Sequence, residues 1–222
     1  MSTAREILLG NVRKAVKAGN RAGDTIPHPT RGNVGYQGGG PDPIGRFCDE
    51  FIAAGGIPHI VEGSAGAAAR VLELVKKHQP QCISLGRGAI IDSLHLDAAV
   101  RALNVQTLFP GADRDLLFKA EMGVTGVDAL VVETGTIVQF SRPDQPRLIS
   151  LLPPIYIAVA DRSQLVPDLF DWFDSIPSEL LPNDLPACLS LITGPSKTGD
   201  IELRLVTGVH GPGEVHVVLI NA

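Results

Sequence analysis

Two short stretches gather side chains able to bind or transform a small anion. In the first, Glu133-Thr134-Gly135-Thr136 follows the apolar run Leu130-Val131-Val132, which places a carboxylate and two hydroxyls where a strand meets a turn. Ligands of open α/β sheets gather at the carboxyl ends of strands. Glycine lets the backbone approach a ligand closely, and each threonine hydroxyl can donate or accept a hydrogen bond. Arg142, in Ser141-Arg142-Pro143, adds a positive charge a few residues on. The plainer alternative is a hairpin turn in which Thr134 and Thr136 satisfy only local backbone.

The second stretch lies in the C-terminal tail, Gly194–Ala222, which holds five glycines. There Ser196, Lys197, Thr198, Asp200 and Glu202 follow the apolar run LSLIT. The hydroxyls and the glycine-rich backbone can form an anion-binding nest, with Lys197 supplying charge. Gly199 can equally cap a short helix, with Glu202 completing part of a capping box. The phosphate-loop pattern G-x-x-x-x-G-K-[ST] does not occur. His210, in Gly208-Val209-His210-Gly211-Pro212, is of a type that titrates near neutral pH and serves as acid, base or ligand. Together these residues suggest two halves of one pocket, with His210 and Glu133 as its reactive groups. His59 and His216 fall inside apolar strand-like runs and are read as structural, and no metal ligand set is assigned. No serine occupies a G-x-S-x-G nucleophile elbow.

The elements that must position these groups follow from the apolar rhythm. Ile7, Leu8, Val12 and Val16 recur at helical spacing, with Ser2 or Thr3 available as a cap, and this helix ends near Gly19. Gly23–Pro43 has no apolar period and reads as a tether, which would let the first helix dock elsewhere, including on a second copy of the chain. Residues 1–42 are thus a helix with its tether, and residues 43–222 a single α/β domain. Within that domain, IGRFCDEFIAAGG predicts a helix and IPHIVEG a buried strand. SAGAAARVLELVKKHQ predicts a helix and CISLG a strand. A further helix and strand run through Val105–Leu108, and DRDLLFKAEMG is again helical. Strands alternating with helices predict a largely parallel sheet flanked by helices. VDALVVETGTIVQF reads as two strand pieces around a turn or bulge, IYIAVA as a strand and LVPDLFDWFDSI as a helix. LSLITG, LRLVTG and VHVVLI read as three closing strands.

Composition narrows the function classes. The 222 residues carry a formal net charge of −5 with no basic stripe, which excludes the usual nucleic-acid footprint. The first twenty residues bear four basic groups and no uninterrupted apolar core, unlike a signal peptide. No apolar run reaches the length of a membrane span. A cytoplasmic protein is expected. The three cysteines, Cys48, Cys82 and Cys188, are dispersed and form no C-x-x-C pair, whereas an iron–sulfur cluster usually takes four thiolates.

VETGTIV, LISLLPPIYIAVAD and GPSKTGDIELRLVTGVHGP, in this order, resemble the hallmark segments of the LUD (lactate utilisation, DUF162) family. The resemblance covers nearly the whole chain, and Gly199 stands where many members have alanine. It implies a fold like the NagB/RpiA/CoA-transferase group. It also implies a cluster-free subunit in the oxidation of L-lactate to pyruvate, supplying a substrate pocket or an assembly surface. The iron–sulfur clusters would then reside in two partner proteins, and this chain would bind no cofactor. A stand-alone CoA-transferase-like or sugar-phosphate-isomerase-like enzyme is the alternative, since Glu133-Thr134-Gly135 has a faint likeness to a glutamate–glycine nucleophile motif.

Overall fold

The computed structural model describes residues 3–19, 38–176, 186, 188–201 and 204–221. The chain divides into two units, Met1–Asn33 and Val34–Ala222. The described part of the first is essentially helix α1 (Ala4–Gly19). It starts with a reciprocal box: the Thr3 amide donates to the Glu6 carboxylate (2.7 Å) and the Glu6 amide to the Thr3 hydroxyl (3.3 Å). Its stripe of Ile7, Leu8, Val12 and Val16 is exposed.

The second unit begins with α2 (Pro43–Ala53), β1 (Ile57–Val61), α3 (Gly63–His78), β2 (Cys82–Leu85), α4 (Ala89–Ser93), α5 (Leu96–Arg101) and β3 (Gln106–Leu108). It continues through α6 (Arg114–Leu117), β4 (Met122–Gly126), β5 (Ala129–Val131), β6 (Thr136–Phe140), α7 (Leu148–Leu151), β7 (Ile155–Asp161) and β8 (Leu165–Val166). Helix α8 (Leu169–Ser175) precedes β9 (Leu189–Ile192), β10 (Lys197–Ile201), β11 (Arg204–Thr207) and β12 (Glu214–Ile220).

Six strands form a sheet in the order β1-β12-β7-β4-β2-β3, every pair parallel. The last strand of the chain therefore lies inside the sheet, which explains its near-continuous apolar run. A parallel strand covered on both faces must be hydrophobic on both. Alternate residues of β12 and β7 divide between two cores. Val218, Ile220, Ile157 and Val159 meet Ala67, Val71, Leu74 and Val75 of α3. Val215, Val217, Leu219, Tyr156 and Ala158 meet Phe47 and Phe51 of α2, together with Leu130 and Ile137. Those last two belong to a second sheet, β8-β5-β6-β9, whose far face packs Ala129, Val131 and Val138 on Trp172 of α8. Strands β10 and β11 make a separate antiparallel hairpin.

The α/β reading with a parallel sheet between helices holds, while three local expectations differ. DRDLLFKAEMG is helical only over Arg114–Leu117, and Met122 already opens β4. Glycines obscured that strand, and contact requires them. A Cβ at Gly123 would overlap the Ile149 carbonyl oxygen, and one at Gly126 would come within 2.8 Å of Ile90 Cγ2. LVPD is not helical: Leu165–Val166 pairs with β5, and the helix waits for Asp168, whose carboxylate accepts from the Asp171 amide. IPHIV, expected as a buried strand, lies at the sheet edge with Ile57 and Ile60 exposed. The three closing strands are present and divide among three sheets. LSLI joins the second sheet, RLVT the hairpin and VHVVLI the six-stranded sheet. Among the described residues no helix is long and apolar enough to cross a membrane.

Candidate functional site

The six parallel strands give the molecule a carboxyl edge and an amino edge, and polar groups collect at both. At the carboxyl edge, β1, β2 and β4 each run out into glycine: Gly63, Gly86 and Gly126. A cleft of about 570 Å³ opens there between Ser64 at the start of α3, Ser93 of α4, Gly126 and Ser163, with Gln145 beside it. Gln145 also crosses the turn after β2, where a Cβ at Gly88 (φ +121°) would meet its side-chain nitrogen at 3.1 Å. The sixteen-residue α3 has no side-chain cap at its N-terminus, so its first amides are free of side-chain acceptors and favour negative charge. Asp161, at the end of β7, accepts from both the amide (2.9 Å) and the hydroxyl (2.6 Å) of Ser163. Those bonds hold its carboxyl below the ordinary range, so the cleft carries one fixed negative charge on that side. Sequence reasoning missed this cleft, although strands ending in glycine were visible as the signal for it.

A second cleft of about 670 Å³ adjoins it past β2 and β3, lined by Arg87, Asp92, His95 and Asp97. Its charges already have partners. Arg87 lies over the Phe109 ring at 3.9 Å and pairs with Asp92 at 3.3 Å. Asp97 accepts from Arg101 and from Thr107, which lowers its pKa.

The turns singled out in the sequence sit toward the opposite, amino edge, on the α2 face. Gly135 (φ +59°) lies against the backbone of Glu50 and Phe51, and Gly194 (φ +71°) against the Ala54 carbonyl just past α2. The two turns do meet, through hydroxyls. Thr134 Oγ1 is 2.7 Å from Thr136 Oγ1, which is 2.7 Å from Thr193 Oγ1. Thr193 completes this chain, and the sequence reading had not named it. Lys197 Nζ donates to the Ala54 carbonyl, closing the C-terminal end of α2. Arg142 Nη2 donates to Asp128 Oδ1 at 2.6 Å, and the same carboxylate accepts from the Phe140 amide through its other oxygen. Both cations thus hold the framework. Glu133 is half-buried beyond β5, its amide donating to the Pro167 carbonyl. His210 is exposed in the turn before β12. That turn is tied to Ser196, whose amide donates to the Pro212 carbonyl (2.8 Å) and whose carbonyl accepts from the Gly208 amide (3.0 Å). Thr198 lies on β10 opposite Val206. Glu202 and the side chain of Asp200 lie outside the described residues.

This geometry places the three hallmark segments on one framework, and residues 44–220 match the profile of the LUD domain. The chain belongs to the LUD domain family. Among its relatives are lactate utilization protein C of Exiguobacterium sp., 40% identical over 115 residues, and that of Bacillus subtilis strain 168, 39% identical over 104 residues. These alignments cover 50% and 46% of this chain and 49% and 43% of the two relatives, so the chain spans about half the length of the curated relatives it matches. A solved DUF162 family protein of Deinococcus radiodurans shares the fold, with a TM-score of 0.59 at 20% identity, over 80% of this chain and 95% of that one. The fold accords with the NagB/RpiA/CoA-transferase-like architecture that the resemblance implies.

Within this LUD domain, Gly199 offers a direct check on the tail. A Cβ there meets nothing within 4 Å, and its φ is not in the left-handed region. Gly199→Ala is expected to leave stability within about 0.5 kcal/mol of the parent, or to raise it by that much through a stiffer unfolded chain. Urea unfolding of the two proteins measures it. A loss of several times that size would show that β10 depends on glycine at this position.

Proposed function

We propose that this LUD domain is the cluster-free subunit of an iron–sulfur system that oxidises L-lactate to pyruvate. The observation behind the reading is the LUD match over residues 44–220, together with relatives named lactate utilization protein C. Oxidation of lactate removes the C2 hydrogen and the hydroxyl proton together with two electrons, so the system needs an acceptor. The thiols of this chain are ill placed to hold one. Cys48 lies in α2 against one core and Cys82 in β2 against another, burial raises the pKa of both, and Cys188 precedes β9. Three scattered cysteines fall short of the four thiolates such clusters usually take. The acceptor clusters belong, on this reading, to two partner proteins.

The division of labour follows from the two edges. The carboxyl-edge cleft sets the Ser64 hydroxyl and the Gln145 amide beside the start of α3, which favours a small carboxylate on that side, while Asp161, already holding the Ser163 hydroxyl, opposes negative charge on the other. Arg142 serves the framework beside the carboxyl edge, where it pairs with Asp128 just past β4, and Lys197 does so at the amino edge, while Thr134, Val206, Val209 and His210 are exposed. That side suits an assembly surface better than a substrate clamp.

Lactate-dependent dye reduction tests the proposal, comparing this protein alone, its two iron–sulfur partners alone, and the full mixture. Activity in the full mixture alone is expected. Full activity from the partners without it would overturn the reading. His210→Ala and Glu133→Ala then separate roles at the amino edge: unchanged turnover with weakened co-elution supports assembly, and lost turnover at intact assembly supports a pocket there.

A further inference from the structure

Three histidines and a glutamate from distant parts of the chain converge on the α3 face of the sheet, at its amino edge. Glu214 and His216 are two apart on β12 and so share a face. His216 is buried, and its Nε2 lies 2.7 Å from Glu214 Oε1. His78, the last residue of α3, brings its Nε2 to 3.2 Å from the same carboxylate oxygen. One ligand atom from each of the three lies within 4.8 Å of the others. His59, on the neighbouring strand β1, places its Nε2 2.9 Å from His216 Nδ1. The sequence reading took His59 and His216 as structural strand residues and did not weigh His78 or Glu214.

The geometry points to a divalent transition-metal site of zinc type, with His78 Nε2, His216 Nε2 and a Glu214 carboxylate oxygen as ligands. Three observations converge on it. The first is spacing. Ligands about 2.0–2.1 Å from a tetrahedral ion stand about 3.3–3.4 Å from one another; the 3.2 Å between His78 and Glu214 matches this, and the 2.7 Å between His216 and Glu214 would open by roughly 0.6 Å. The second is His78 Nε2, which is buried and, although 3.2 Å from Glu214 Oε1, lacks hydrogen-bond geometry to it or to any other described group. A buried ring nitrogen without a partner is unfavourable unless something else fills its lone-pair direction. The third is the outer contact. In the metal-free protein His216 Nε2–H donates to the Glu214 carboxylate, and an ion that takes the place of that proton leaves Nδ1–H free to donate to His59 Nε2. Metal-bound histidines are almost always held in this way by a second acceptor.

Burial holds His216 below the ordinary imidazole pKa and His59 at about 4, so both are neutral near pH 7, the form that ligates. Lys77 adds unfavourable positive charge nearby, and Glu214 opposes it. Two imidazoles and a carboxylate suit zinc over magnesium or calcium, which prefer oxygen. With three protein ligands, and with His78 and Glu214 17% and 32% exposed, the fourth position opens to solvent.

Chelator-treated full-length protein titrated with Zn²⁺ in a calorimeter, and with Co²⁺ followed by visible absorption, tests the site. One equivalent of zinc and the absorption of a tetrahedral cobalt centre are expected. Glu214→Gln and His78→Ala should each weaken zinc by at least tenfold and abolish the cobalt spectrum. His59→Gln, which leaves the ligands in place, should weaken zinc by about tenfold. Glu73→Gln, an exposed carboxylate of the same helix, should change nothing. Circular dichroism establishes that each variant is folded, and His78→Gln replaces any that is not. No stoichiometric binding by the parent protein at micromolar zinc, or equal affinity in folded His78 and Glu214 variants, would overturn the proposal.

Discussion

Replacing Gly135 by alanine is expected to remove about 3 kcal/mol of stability, read as a lower urea midpoint at an unchanged slope. Two effects add. The residue has φ +59°, where an L side chain is strained, at a cost of about 1 kcal/mol. A methyl group there would also overlap the Phe51 backbone nitrogen and come within 2.7 Å of Phe51 Cα. The obstacle is helix backbone, which cannot swing aside as a flexible side chain would, so the second sheet must move off α2 at a further cost of about 2 kcal/mol. Phe47 and Phe51 are fully buried beside Leu130 and Ile137, so the displacement would propagate into that core. The threonine chain crosses the same contact, and Gly135→Ala should disturb the amino edge along with the fold. Stability within 0.5 kcal/mol of the parent would mean that the hairpin tip is not held against α2 as described.

That contact also marks the limit of what periodicity conveys. The sequence shows Thr-Gly-Thr as a break between two β-branched runs, and β5 and β6 do turn there. It does not show that the turn lands on α2, because alternation records burial and not the partner that does the burying. The same limit explains the three closing strands. LSLI, RLVT and VHVVLI look alike as strands, yet they join three different sheets. Only the last is apolar on both faces, which is what an interior position in a parallel sheet demands.

The candidate sites were legible in proportion to their locality. Gly63 and Gly86, following the strands IPHIV and CISL, could be read one element at a time, and Gly63 lines the carboxyl-edge cleft, whereas Gly126 ends a strand that its own glycines concealed. Lys197 and Arg142 looked like anion-binding cations because the Ala54 carbonyl and the Asp128 carboxylate that engage them are remote or lie across a turn. Thr193 was hidden in a strand ending. His59, His78 and His216 span most of the domain and meet only because β12 inserts beside β1 while α3 returns along the same face. No spacing rule along the chain links residues brought together by a parallel pairing of that separation.

That convergence has a consequence for acid stability, with the protein held in chelator so that no metal contributes. Burial keeps His59 at about pKa 4 and holds His216 below its ordinary 6.5, with the neighbouring imidazole and Arg70 and Lys77 adding to the effect on His59. In the unfolded chain both revert to about 6.5. Between pH 6.5 and 4 the unfolded state therefore binds more protons than the folded state, so stability is full above 6.5 and falls as the pH drops toward 4. Moving one imidazole over that range corresponds to about 3 kcal/mol, and the partial exposure of His59 lowers the expected loss to about 2 kcal/mol. Asp97 and Asp161 act in a different window. Their carboxyls are held below 3.8 in the fold, so the stability they contribute disappears only under more acidic conditions. Urea midpoints at pH 7.5 and 4.5 should accordingly fall by more in the parent than in His59→Gln, which has no imidazole to protonate on unfolding. Equal falls in the two proteins would show that the burial of His59 does not govern this window, and the loss would then have to come from groups elsewhere in the fold.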